Sequence, residues 1–207
     1  MGKQQRNTSF GQEQKLSIVD IFGKYLSERE IAKTFLKHRK VSMMLLDVGC
    51  GYHASILRRF SPLISHGVVV DMSVSEQVKL MNNVTVYEQP IEVVLPTLEF
   101  ASFDAILMNS VLEHLDDPTF VITECFRVLK KEGVLIINVP TWFGKLFLEK
   151  SAYNFKLSPP TEMDDHKMYY DKRDLWPILV KAGFKPSSIK MKYYKFRLNL
   201  FSVCVKK

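Results

Sequence analysis

From residue 41 onward, the sequence alternates short apolar runs with segments of helical periodicity. The apolar runs lie at 41–48, 67–71, 84–87, 103–109 and 133–140, and the helical segments lie at 54–60, 74–81, 90–97 and 117–131. Near-continuously apolar strands that alternate with helices are typical of a parallel sheet covered on both faces. We therefore predict an α/β fold with a doubly wound sheet.

The end of the chain breaks this alternation. A helix is predicted at 171–182, ended by Gly183, and two strands follow at 188–196 and 199–206. A parallel crossover needs a dozen or more residues, so two strands this close in sequence have to pair antiparallel. The prediction is a seven-stranded, mostly parallel sheet that finishes with an antiparallel hairpin.

The first 40 residues differ from the rest because they contain helical patterns only. Helices are predicted at 12–26 and at 28–38, with Ser27 as the cap of the second. We interpret residues 1–40 as a helical cover and residues 41–207 as the main domain. A chain of 207 residues is expected to form one structural domain overall.

Composition excludes several classes of protein. Hydrophobic residues make up 46% of the chain and charged residues 25%, and no apolar run approaches the roughly 20 residues of a membrane helix. The N-terminus has no secretory signal pattern, so we expect a cytoplasmic chain. The three cysteines Cys50, Cys125 and Cys204 are too widely spaced for a disulfide framework or a paired-cysteine zinc site.

The net charge of +7 is concentrated near the C-terminus, where residues 175–207 carry eight basic residues and no acidic ones. Such a segment could contact an acidic partner, such as a phosphorylated metabolite, a membrane surface or RNA. It could equally be the solvated face of a strand, because Lys190 and Lys192 alternate with Ile189 and Met191.

The sequence Asp47-Val48-Gly49-Cys50-Gly51 follows the first predicted strand. In open parallel sheets, ligands bind beyond the carboxyl ends of the strands, and glycines there leave bare amides for a ligand to approach. The spacing of Gly49, Gly51 and Ala54 also satisfies a loose dinucleotide-binding pattern. However, Asp47 would repel a pyrophosphate in a low-dielectric crevice and would favour a cation.

On these residues the chain, from about residue 41 to its end, resembles the class I S-adenosylmethionine-dependent methyltransferases. The family has an acidic residue followed by three glycines, each separated from the one before by a single residue. Asp47, Gly49 and Gly51 match the acidic residue and the first two glycines. His53 replaces the third glycine, and we expect it to narrow or re-aim the loop. The resemblance implies S-adenosylmethionine as the cofactor, with Cys50 among the loop residues that contact it.

The same resemblance assigns roles to residues after the next three strands. It implies that Asp71 accepts the ribose hydroxyls, that Met72 contacts the adenine face, and that Glu88 or Gln89 binds the adenine amino group. The segment that begins at Asn109 resembles the family's segment beside the methionine end of the cofactor and the acceptor.

Two observations bear on the methyl acceptor. The fourth strand is not followed by Asn/Asp-Pro-Pro-Tyr/Phe, and no cysteine lies in a loop suited to attack a pyrimidine ring, which argues against nucleobase methylation. Segment 141–170 contains seven aromatic residues and is predicted to form an acceptor lid. Within it, His166 follows Asp164 and Asp165, as expected of a base that works near neutral pH, and His114 is the second candidate.

We therefore expect O-methylation of a small-molecule, lipid or glycan-precursor hydroxyl, without nucleic acid as partner and without a metal. Two alternatives stay open at this stage. One is a methyltransferase-like binding or scaffold module without activity, motivated by His53. The other is an RNA or protein methyltransferase that uses the basic C-terminus. The sequence does not predict an oligomeric state.

Overall fold

The computed structural model describes residues 9, 11, 18–146 and 166–207. Its strands are β1 (Met44–Val48), β2 (His66–Asp71), β3 (Val84–Glu88), β4 (Phe103–Asn109), β5 (Leu129–Pro140), β6 (Ile189–Tyr194) and β7 (Asn199–Val205). They form one sheet in the order β3-β2-β1-β4-β5-β7-β6, in which only the pairs of β7 with β5 and β6 are antiparallel. This arrangement confirms the predicted fold class and the C-terminal hairpin.

The helices cover both faces of the sheet. They are α1 (Ile18–His38), α2 (Ser55–Phe60), α3 (Glu76–Lys79), α4 (Ile91–Val94), α5 (Pro118–Val128) and α6 (Lys172–Lys181), with 3₁₀ turns at Ser61–Leu63, Leu95–Thr97, Leu112–His114 and Pro186–Ser188. Residues 142–146 are also helical. None of the helices within the described ranges is long and apolar enough to cross a bilayer.

Two hydrophobic cores lie on opposite faces of the sheet. On one face, Phe35 of α1 and Leu57 of α2 pack in a cluster with Leu45 of β1. On the other face, α4, α5 and α6 pack in a second cluster that includes Leu46 of β1 and Ile106 of β4. Because successive strand residues alternate between faces, Asp47 lies on the same face as Leu45 and therefore on the α1 side.

The N-terminal helices differ from the prediction. The helix of residues 18–38 runs through Ser27 without a break, so Ser27 is not an N-cap. Its hydroxyl donates to the carbonyl of Gly23, one turn earlier, at 3.2 Å, which is a bond that a serine makes inside a helix. The predicted residues 12–17 lie outside the described part of the chain. The division between residues 1–40 and 41–207 stays a prediction.

The second correction concerns the end of α5. The helix ends at Val128 rather than at residue 131, and β5 begins at Leu129 instead of residue 133. The pairing of β4 with β5 is irregular between Phe103 and Ala105, and Lys130 forms an ion pair of 2.8 Å with Asp104. The basic residues that were interpreted as a helix end therefore belong to the irregular start of a strand.

Candidate active site

The loop after β1 needs glycine for two reasons. Gly49 and Gly51 have φ values of 67° and 71°, which side chains disfavour. In addition, a Cβ atom on Gly49 would lie 2.4 Å from the Cγ2 of Val111, in the loop after β4. The glycine loop and the loop after β4 are therefore in direct contact. His53 is exposed, and its ring lies edge-on to that of Tyr52 at a centroid distance of 5.0 Å.

Asp47 is buried on the strand that leads into this loop. The residue is only 2% exposed, and its Oδ2 has no hydrogen-bond partner in the described part of the chain. Burial, and then the charge of Asp71, raise the pKa of Asp47 to about 8. A buried carboxyl oxygen without a donor is rare in native proteins, and a cation beside it would remove the cost.

Asp71, at the end of β2, holds the glycine loop in place. Its Oδ2 accepts a bond of 2.7 Å from the N–H of Gly51, and its Oδ1 accepts one of 2.8 Å from the N–H of Met72. Ser9 also donates to Oδ1 and accepts from the N–H of Ser73 at 2.7 Å. No sequence pattern predicted Ser9, whose hydroxyl lies on the carboxylate that is predicted to accept the ribose hydroxyls.

Glu88 and Gln89 differ in their surroundings. Glu88 accepts a bond of 2.8 Å from the N–H of Val74 and pairs with Lys79 at 2.9 Å, and the Lys79 hydrogen bond lowers the pKa of Glu88. Gln89 is exposed, as is Met72. Between the two glycines, burial raises the pKa of the Cys50 thiol.

A second group of polar side chains, which we name the Asn138 cluster, consists of Ser27, Asn109, Asn138, Tyr194 and Lys195. Asn138 donates to Asn109 at 2.8 Å and accepts from the hydroxyl of Tyr194 at 2.9 Å. Lys195 donates to Ser27 at 2.6 Å, and burial lowers the pKa of Lys195 to about 8. Of these residues, only Asn109 was predicted from the sequence as a site residue. An asparagine inside the apolar run of β5 was the one available signal for the rest.

The two histidines predicted as bases lie together. The ring centroids of His114 and His166 are 4.8 Å apart, with an angle of 60° between the planes. The Nδ1 of His166 is 3.0 Å from the hydroxyl of Tyr169. His166 comes from a distant part of the chain, so the fold has brought both predicted residues to the loop after β4. Asp164 and Asp165 lie outside the described residues.

Glu113, the neighbour of His114, was not predicted as a site residue. It is only 1% exposed, and its Oε2 has no hydrogen-bond partner among the described residues. Burial raises the pKa of this carboxyl to about 8. Glu113, His114 and His166 each offer a donor atom, and these three atoms lie within 4.8 Å of one another. We name these three residues the Glu113 cluster.

The predicted lid is described only at its two ends, because residues 147–165 lie outside the described part of the chain. At those ends, the rings of Trp142 and Tyr169 are 5.7 Å apart, and the Nζ of Lys145 lies 5.7 Å from each ring. The indole N–H of Trp142 donates to Asp174 at 3.1 Å. Aromatic residues from both ends of the segment therefore meet beside the Glu113 cluster.

An open groove of about 640 Å³ lies elsewhere, between α6 and β6. It is lined by Lys172, Arg173, Trp176, Pro177, Ile189 and Met191. None of these residues belongs to the predicted site, and the groove contains no buried unpaired polar atom, so we locate the chemistry at the carboxyl ends of the parallel strands instead.

Comparison with known proteins bears on the class of protein. A family model described as a methyltransferase domain matches residues 46–137. No curated protein matches the chain. Together with the fold, the family match supports a class I S-adenosylmethionine-dependent methyltransferase, with S-adenosylmethionine as its cofactor.

Solved structures of similar fold cover most of the chain. A methyltransferase from Archaeoglobus fulgidus has a TM-score of 0.65 and 16% identity, covering 88% of this chain and 94% of its own. A chain from the complex of the Haloferax volcanii Trm112 methyltransferase activator with a methyltransferase has a TM-score of 0.64 and 14% identity. The match covers 93% of this chain and 99% of that one. A methyltransferase from Methanosarcina mazei has a TM-score of 0.60 and 17% identity, covering 84% and 96%.

Proposed function

We propose that this protein methylates a hydroxyl group of a small molecule, a lipid or a glycan precursor. The observation that carries the proposal is the position of the His114 and His166 rings, 4.8 Å apart beside a buried carboxyl. His114 comes three residues after Val111, which lies against Gly49, and His166 lies beside His114, so the pair is near the loop where the cofactor is expected. A hydroxyl needs help to lose its proton near neutral pH, and imidazole is the side chain suited to that task.

The residues around the glycine loop fit S-adenosylmethionine. Asp47 would pair its unpartnered oxygen with the ammonium group, and the backbone of Gly49, Cys50 and Gly51 would lie against the methionine end. When bound, the cofactor supplies a methyl group on a positively charged sulfur. The chain has mainly to align donor and acceptor, because positioning alone can contribute about 7 to 11 kcal/mol.

The nucleoside end would be bound by residues after β2 and β3. Asp71 would accept the ribose hydroxyls in place of the Ser9 hydroxyl that lies on it. Met72 would contact the adenine face. Gln89 is the better candidate for the adenine amino group, because Glu88 is already engaged by Val74 and Lys79. Asn109 would border the methionine end.

His166 is the stronger candidate for the base. The hydroxyl of Tyr169 lies 3.0 Å from its Nδ1 and orients the ring beside that of His114. His114 would then share the proton or orient the acceptor. The aromatic residues at both ends of the predicted lid would shield this region from water.

Single substitutions of the histidines test the proposal. We expect His166→Gln to lower turnover by about 10² to 10⁴ and His114→Gln to lower it less, because general base catalysis has that magnitude. His38→Gln, on the surface of α1, is the matched control. Transfer of labelled methyl groups to a panel of phenols, polyols and sugar nucleotides measures turnover. Unchanged turnover in both site variants would eliminate base catalysis by histidine.

The two alternatives give different results. A scaffold module would bind S-adenosylmethionine weakly or not at all and would transfer no methyl group. An RNA methyltransferase would bind RNA with a steep salt dependence. The contacts of the basic C-terminus favour neither, because Lys192 pairs with Glu30 and Lys206 donates to the carbonyls of Phe126 and Leu129.

A further inference from the structure

The Glu113 cluster combines one carboxylate with two imidazoles. Its three donor atoms lie within 4.8 Å of one another. Ligands about 2.1 Å from a single ion lie roughly 3 to 3.5 Å apart, so the donors are spread about 1 to 2 Å wider than a filled site requires. Binding of an ion would draw the two half-buried imidazoles inward by that distance.

Glu113 provides an independent sign that a ligand belongs here. The residue is 1% exposed, and its Oε2 has no hydrogen-bond partner among the described residues. A buried carboxyl oxygen normally has a donor, because leaving it unpaired costs about 1 to 3 kcal/mol or more. A cation between this oxygen and the imidazoles would compensate for that cost.

The backbone around the cluster is fixed by bonds that join the two distant segments. The N–H groups of Lys167 and Met168 donate to the carbonyl of Glu113 at 2.7 and 3.3 Å. The hydroxyl of Tyr170 donates to the carbonyl of Leu112 at 3.1 Å. His166 is therefore held opposite Glu113 by main-chain bonds that do not depend on a ligand.

The hydroxyl of Tyr169, 3.0 Å from the Nδ1 of His166, completes the arrangement. Histidines that bind metals usually bond their second ring nitrogen to such a partner, which orients the ring and fixes its tautomer. Tyr169 is buried, so this contact lies away from bulk water.

We propose that Glu113, His114 and His166 bind a divalent transition-metal ion. Two imidazoles and one carboxylate suit Mn²⁺, Fe²⁺, Co²⁺ or Zn²⁺ better than Mg²⁺ or Ca²⁺, which prefer oxygen ligands. The inference deepens the proposed function and rests on it for the role of the ion. In this version the imidazoles would hold the cation and would not take the acceptor proton directly. The cation would lower the pKa of the hydroxyl bound to it.

The atoms balance in this version of the transfer. A C–O bond to the acceptor forms as the S–C bond of the donor breaks, the sulfur keeps the bonding electron pair and becomes neutral, and the acceptor proton goes to solvent.

Metal binding is the direct test. The full-length protein, freed of any purification tag and treated with EDTA, is titrated with Mn²⁺ and followed by electron paramagnetic resonance, and Zn²⁺ and Mg²⁺ are compared by equilibrium dialysis. We expect one Mn²⁺ or Zn²⁺ per chain at micromolar concentration and at least tenfold weaker binding of Mg²⁺. Glu113→Gln and His166→Ala should each weaken Mn²⁺ binding by at least tenfold.

Matched controls keep the result interpretable. Glu99→Gln and His38→Ala change the same residue types on the surface and should leave Mn²⁺ binding unchanged. Circular dichroism reports whether each variant is folded, and if Glu113→Gln is not folded, His166→Ala decides alone. Absence of Mn²⁺ and Zn²⁺ binding, or binding that both site variants retain, would overturn the proposal.

A parallel titration with S-adenosylmethionine separates this inference from the proposed function. Cofactor binding without metal binding would remove only the metal site. Metal binding without cofactor binding would remove the proposed function and leave the metal site in place.

Discussion

The Asn138 cluster and the Glu113 cluster lie at the same end of the sheet but differ in how their polar atoms are satisfied. In the first, the side chains of Asn138, Tyr194 and Ser27 bond one another, and Lys195 donates to Ser27. In the second, the buried Oε2 of Glu113 has no donor among the described residues. Buried polar groups that satisfy one another contribute to stability, whereas an unpaired one points to a missing ligand.

Asp47 resembles Glu113, because it is also a buried carboxyl with an unpaired oxygen. Like Glu113, it is almost completely buried, has one oxygen without a partner in the described part of the chain, and has its pKa raised to about 8 by burial. Asp47 lies near the end of β1 and Glu113 in the turn after β4, and these neighbouring strands meet where the strand order reverses. We therefore expect one to meet the cofactor and the other to meet the ion or acceptor.

The largest expected effect is on pH-dependent stability of the ligand-free protein. Burial raises the pKa values of Asp47 and Glu113 to about 8, so the stability that their protonated forms contribute is complete below about pH 4 and is lost as the pH rises through 8. The free energy of unfolding should fall by up to about 1.4 kcal/mol per pH unit for each carboxyl. Lys195 affects the pH dependence of stability only above pH 8. Burial lowers its pKa to about 8, so above that pH the folded protein loses this proton before the unfolded chain does, and stability rises again.

Urea denaturation between pH 5 and pH 8 measures this slope. Asp47→Asn and Glu113→Gln should each flatten it, and Glu99→Gln on the surface should not. A wild-type slope equal to that of the two site variants would mean that neither carboxyl is buried in its neutral form.

The next effect is on cofactor affinity. Asp47→Asn keeps the size of the side chain but removes the negative charge, so we expect S-adenosylmethionine to bind roughly 100-fold more weakly, because a buried pair that loses one partner costs about 3 kcal/mol. Calorimetric titration gives the dissociation constant. Asp104→Asn, which alters a carboxylate at the opposite end of β4, is the control and should leave the affinity unchanged.

A substitution in the Asn138 cluster should change the stability of the fold. Asn138→Ala removes the bonds that Asn138 makes with Tyr194 and Asn109 and is expected to lower the free energy of unfolding by about 2 kcal/mol. Asn82→Ala, in an exposed turn, should change it by less than about 0.5 kcal/mol. Equal effects on chemical denaturation would contradict a structural role for the cluster.

The smallest effects concern two glycines in different conformations. Gly49→Ala places a Cβ atom 2.4 Å from the Cγ2 of Val111 at positive φ, so a loss of at least about 1 kcal/mol is expected. Gly23→Ala lies in the interior of α1, where the nearest atom is the Nζ of Lys195 at 3.9 Å, and should gain about 0.5 to 1 kcal/mol. Thermal denaturation measures the change in stability of each variant. A change of the same sign in both variants would mean that the glycine loop is not strained.

Strand positions were predictable because an apolar run buried on both faces is visible in the sequence. β4 begins and ends where its pattern predicted, at Phe103 and Asn109. The break at Ser27 was wrong, because serine bonds inside helices as well as at their ends and only tertiary packing decides between the two. The start of β5 was wrong because the bulge opposite Phe103 depends on pairing between distant strands.

The candidate site was predictable only where its residues are close in sequence. The glycine loop with Asp47, and the pair Asp71 and Met72, stand at strand ends that local patterns reveal. The Asn138 cluster unites α1, β4, β5 and the end of β6, so no local pattern contains it. The backbone of Glu113 is bonded to Lys167 and Met168, which are more than 50 positions away, so no local pattern reveals its surroundings.

The central claim is that Asp47 is a neutral carboxyl that becomes charged when it meets a cationic methyl donor. Calorimetric titration of S-adenosylmethionine at pH 7 in phosphate and in Tris buffer tests it, because these buffers differ in the heat of taking up a proton. The pKa of about 8 predicts that binding releases up to about one proton, which should disappear in Asp47→Asn. Binding heats that are equal in the two buffers, or no binding at all, would contradict the claim.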